Sequence, residues 1–63
     1  MSERVYVVEY RVSGVQVAYI HGCKTAREAK AALIANEGDI DYIACEIDKA
    51  YRKSAKVRLE RKA

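Results

Sequence analysis

The run Arg4-Val5-Tyr6-Val7-Val8-Glu9-Tyr10-Arg11-Val12 is followed by Ser13-Gly14 and then by Val15-Gln16-Val17-Ala18-Tyr19-Ile20-His21. Both runs are dense in β-branched and aromatic residues, the composition of strands. The Ser-Gly pair between them marks a tight hairpin turn, where Gly14 can take positive φ without steric cost.

A two-residue loop at Ser13-Gly14 sets a definite register. It puts Val12 opposite Val15, Tyr10 opposite Val17, Val8 opposite Tyr19 and Tyr6 opposite His21. Side chains alternate along a strand, so these eight are expected on one face. The other face then holds Val5, Val7, Glu9 and Arg11 with Gln16, Ala18 and Ile20.

Outward from the hairpin, Thr25-Ala26-Arg27-Glu28 fits a capping box, and an Ala-rich stretch with high helix propensity follows it. The spacing predicts a helix over 25–36, with Ala26, Ala29 and Leu33 on its inner face and Asn36 and Gly38 as stop residues. Residues 40–51 carry two periods. Ile43, Cys45 and Ile47 alternate as in a half-buried strand, while Ile40, Ile43, Ile47 and Tyr51 recur at helical spacing. The strand is preferred, because a third strand gives the helix a sheet to cover. The expected fold is a small α+β domain, β-β-α-β, over residues 1–51, with an antiparallel hairpin, a third strand and one helix on one sheet face.

Residues 52–63 form a basic tail, read as either an edge strand or a disordered end. The chain has 63 residues and a net charge of +3. Residues 1–50 hold six Lys/Arg against eight Asp/Glu, and residues 51–63 hold six Lys/Arg against Glu60 alone. A mildly acidic body therefore carries the basic tail. The opening residues lack the pattern of a signal peptide, and no apolar run approaches the length of a membrane span, so the expected location is cytoplasmic and no membrane partner is expected. Cys23 and Cys45 are read as free thiols.

Little in the chain suggests catalysis. His21, Cys23 and Cys45 are three soft ligands without the paired spacing of a zinc site. Glu37, Asp39 and Asp41 lack the longer pattern of a calcium loop. Cys23, next to Lys24 and a helix start, is placed where a thiolate would be favoured, but no third group orients a His21–Cys23 pair. The expectation is a non-enzymatic protein with no cofactor, metal or small-molecule substrate.

The functional expectation comes from the hairpin. One helix covers one sheet face: on the Tyr6/Val8/Tyr10 face it leaves Val5, Val7, Ala18 and Ile20 open, and on the Val5/Val7 face it leaves the tyrosines and valines of the other open. Val5, Val7, Ala18, Ile20, Tyr6, Tyr10 and Tyr19 are therefore the candidate protein-interface residues of a self-associating module or an accessory or inhibitor protein. Only a tail folded back over the open face would remove that need. The alternative is a nucleic-acid-binding protein. Arg52, Lys53, Lys56, Arg58, Arg61 and Lys62 would meet phosphates, and Tyr6, Tyr10 and Tyr19 would form a stacking platform.

Overall fold

The structure is a computed structural model that describes residues 4–62, apart from the side chain of Lys62. Met1–Glu3 and Ala63, which the expected domain and tail include, lie outside the described residues. In chain order the elements are β1 (Arg4–Glu9), β2 (Gln16–His21), α1 (Ala26–Ala35), β3 (Asp39–Tyr42), α2 (Lys49–Ser54) and β4 (Lys56–Lys62). The strands form one antiparallel sheet in the order β3-β2-β1-β4. The α+β class is as expected. The fold adds a short second helix, and the C-terminal residues take the edge-strand alternative. The boundary expected after residue 51 falls inside α2.

The hairpin departs from its predicted register for two reasons. Its loop has four residues, Arg11–Gly14. The Tyr10 amide donates to Val15 O at 2.9 Å and the Gly14 amide to Tyr10 O at 2.8 Å. Gly14 takes φ 71°, the left-handed conformation expected of it. Two extra loop residues alone would leave side-chain parity unchanged. Beyond the turn, however, Glu9 pairs with Gln16 while Val8 pairs with Ala18, so Val17 is an extra residue in β2. This bulge reverses which residues share a face.

The consequence is a single core. Tyr6 and Val8 of β1 share a face with Ala18 and Ile20 of β2, and with Ala29, Leu33, Ile47 and Ala55 they form the buried cluster. Ala18 and Ile20 thus belong to the core and not to an exposed face. Val5 and Val7, expected to be exposed if the helices pack on the Tyr6/Val8 face, occupy the helix-free face yet are buried, at 1% and 0% exposure. Val7 lies between Tyr19 of β2 and Arg58 of β4, and Val5 between His21 and Arg61. A valine flanked on both sides by long amphipathic side chains is shielded by their stems. The basic tail, paired along the whole of β1, supplies half of that shield.

Helix α1 forms where the capping box predicts. Thr25 is extended, and its hydroxyl accepts from the Glu28 amide at 3.1 Å. Asn36 ends the helix in the left-handed conformation, φ 54°. Ala29 and Leu33 are its buried residues, whereas Ala26 stays exposed in the first turn.

The strand preferred over 40–51 stops at Tyr42. The Ile43 amide still donates to Val17 O at 3.0 Å, but Val17 is the bulged residue, and the ladder ends there. Residues 43–48 then cross to the helix side, where Ile47 enters the core and α2 begins. Ile43 and Cys45, predicted as inward, are exposed. Among the described residues, no helix is long and apolar enough to cross a membrane.

If β4 completes the shield over β1, a chain ending at Ser54 should lose its cooperative thermal transition by circular dichroism. A truncated chain that melts like the full-length one would show that β4 is dispensable. Leu33→Ala should cost about 2–5 kcal/mol in denaturant unfolding.

Candidate functional site

The exposed apolar residues gather at one end of the molecule. Tyr10 and Val15 flank the hairpin loop, and with Val17, Ile43, Cys45 and Ile47 they line a groove of about 360 Å³. Val12, at the loop tip, is 102% exposed, and Val15 and Ile43 are each about half exposed. Most of the exposed large apolar side chains among the described residues are therefore neighbours. Leu59 on β4 stands elsewhere, and a single exposed leucine is unremarkable.

Local chemistry holds the groove open. Its far wall is the 43–48 segment, which is tied down from behind. The Arg52 guanidinium, almost fully buried, donates to Ile47 O at 2.6 Å and lies 3.6 Å from the Glu46 carboxylate. Asn36, the α1 cap, donates to Glu46 at 2.7 Å and accepts from the Tyr42 hydroxyl at 2.7 Å. On the near wall the Tyr10 ring meets that of Tyr51, which lines the adjoining hollow, at 4.3 Å in a tilted arrangement. The groove is thus bounded by a hairpin end and a loop clamped to a helix cap.

Tyr51 carries a second feature. Its hydroxyl is buried and has no hydrogen-bond partner among the described residues. Burial, followed by the charges of Tyr10 and Glu9, pushes its pKa upward. Tyr42 is also raised, chiefly by burial.

The remaining predicted interface residues lie elsewhere. Tyr6 is in the core, and Val5, Val7, Ala18 and Ile20 are buried as described. Tyr19 is half-buried on the helix-free face and donates to Gln16 at 3.0 Å. Of the predicted set, only Tyr10 borders the groove. The three tyrosines of the proposed stacking platform do not share a face: Tyr6 and Tyr10 point to the helices and Tyr19 points away from them. The bulge at Val17 separates them.

The basic candidates are likewise divided. Arg52 is buried behind the groove. Arg58 donates to Glu9 at 2.6 Å and to Glu60 at 3.1 Å. Lys53 lies in the last turn of α2, Lys56 opens β4, and the register puts Arg61 beside Val5. For Lys62 the structure describes the backbone alone, paired with Arg4.

His21 and Cys23 line a different hollow, about 570 Å³, between α1 and the β2–β3 end of the sheet, while Cys45 lines the apolar groove. The three soft ligands do not converge. Cys23 has its pKa raised, first by burial and then by Glu28, so the thiolate expected beside the helix start is disfavoured. Among the described residues, no group of His, Cys, Asp and Glu is arranged to hold a metal ion.

The groove residues missed from the sequence are Val15, Gln16, Val17, Ile43, Ala44, Cys45 and Ile47. One signal was present: Val12 and Val15 bracket Ser13-Gly14, where turns ordinarily carry polar residues. Comparison with protein-family models, with curated proteins and with solved structures gave no match.

Tyr51 supplies the pH test. A raised folded-state pKa stabilises the fold below the ordinary value of 10.0 and loses that contribution as pH climbs through the folded value. Urea unfolding should show stability falling above pH 10, less steeply in Tyr51→Phe. At neutral pH that substitution removes an unsatisfied hydroxyl and should be neutral or stabilising by up to about 1 kcal/mol. Clear destabilisation at neutral pH would mean the hydroxyl has a partner.

Proposed function

We propose that this chain is a small, non-enzymatic protein-binding module whose docking site is the groove between the hairpin end and the 43–48 segment. The observation that carries this reading is the clustering of exposed Tyr10, Val15 and Ile43 around one apolar hollow, with Val12 beside them. A contiguous apolar patch on a small domain is costly to leave in water and characteristically marks a contact surface. Aromatic and branched aliphatic residues around a hollow are also the usual anchors of protein recognition.

Two features of the rest of the surface favour this site over the sheet. The edge strands are blunted. β4 carries Lys56, Arg58 and Arg61 with a second bulge at Glu60, and β3 is four residues long and bears Asp39 and Asp41. The helix-free face presents Glu9, Arg58 and Glu60 already satisfied by one another. Two free thiols suit a reducing compartment, and the cytoplasm is the location we propose.

Selection of a displayed peptide library on the immobilised protein tests the site. Recovered peptides should carry aromatic or branched aliphatic anchors and should bind Ile43→Asp at least about tenfold more weakly. Ile43 is exposed, so that variant should keep its circular dichroism spectrum. Peptides that bind the wild type and Ile43→Asp equally would place the contact surface elsewhere.

A further inference from the structure

A fully exposed valine stands next to an apolar hollow. Val12 sits in the loop Arg11–Gly14, whose flanking residues Tyr10 and Val15 are themselves part of the groove wall. Knob and hole therefore lie side by side on one patch. Two such patches related by a twofold axis satisfy each other reciprocally and close as a dimer. Had knob and hole lain at opposite ends, the same contact would propagate into a filament.

The charges around the two parts are complementary. Arg11 flanks the knob. Among the described residues it makes no hydrogen bond or ion pair, and its charge opposes that of Lys30. The groove side carries Glu46 and Asp48, which line the adjoining hollow beside Tyr10 and Tyr51. Asp48 precedes α2 but makes no side-chain cap bond, and among the described residues its carboxylate has no ion pair. A cation without an anion at the tip and an anion without a donor at the rim attract when tip meets rim.

We propose that the occupant of the groove is the hairpin tip of a second copy of this chain. Val12 of each copy enters the groove of the other, and Arg11 faces Asp48 of that second copy. The proposal rests on the groove being a docking site and adds the identity of its partner. A heterologous protein with an apolar, basic tip would fit the same chemistry, and the test separates the two.

The experiment combines sedimentation with cross-linking on the full chain. The wild type should sediment as a concentration-dependent dimer in the micromolar range. Val12→Asp should raise the dimer dissociation constant at least about tenfold with an unchanged circular dichroism spectrum, because Val12 makes no buried contact in the monomer. Val12→Cys should form a covalent dimer on mild oxidation through Cys45, which lines the groove, and the double variant Val12→Cys/Cys45→Ser should not. A wild type that stays monomeric at high micromolar concentration overturns the proposal. So does a dimer indifferent to Val12→Asp, or a cross-link that survives Cys45→Ser. Peptide binding that is lost in Ile43→Asp but kept in a monomeric wild type would sink the self-docking alone and leave the groove as a site for another protein. Loss of both would sink the docking site itself.

Discussion

The fold turns on one extra residue. Val17 is inserted in β2 between the residues that pair with Glu9 and Val8, and it exchanges the two faces of the hairpin beyond that point. With it, Tyr6, Val8, Ala18 and Ile20 face the helices together and make one core with Leu33 and Ala29. Without it, Ala18 and Ile20 would point away from the helix while Tyr19 and His21 pointed into it. A one-residue change of register moves an entire strand's side chains, so a bulge at this place is a structural decision and not a local defect.

Two other features follow from that choice. β1 is an inner strand with β2 on one side, and the C-terminal residues pair along its other side as β4. Their long basic side chains then serve as cover. Arg58, anchored by Glu9 and Glu60, lies beside Val7, which is how a valine on a helix-free face escapes water. The bulge also ends the β2–β3 ladder early and releases residues 43–48 to cross over the sheet end. Arg52 and Asn36 clamp that segment, and the space left between it and the hairpin is the groove. Core, shield and docking site therefore share one origin.

Part of this was legible in the residues. The strand character of 4–12 and 15–21, the Thr25 cap, the Asn36 stop and the positive φ of Gly14 all rest on local chemistry that a single sequence displays. The bulge does not. Nothing about Val17 distinguishes it from Val15, because a bulge is specified by which residues must reach the core. That is a property of the assembled sheet. Missing it put Ala18 and Ile20 with Val5 and Val7 in the expected interface, whereas Ala18 and Ile20 belong to the core and Val5 and Val7 are buried on the helix-free face. The division of 40–51 was hidden for a related reason: strand and helix periods were both present because the segment is a strand at its start and a helix at its end. Of the groove, the sequence displayed Tyr10 and two valines out of place at a turn. Ile43 and Cys45 join them only through the crossing that the bulge permits.

Backbone nuclear Overhauser contacts between β1 and β2 test the register directly. They should pair Val8 with Ala18 and Tyr6 with Ile20, with Val17 unpaired beside them. A ladder running unbroken from the turn, with Val8 opposite Tyr19, would contradict the bulge and with it the placement of the core, the shield and the groove.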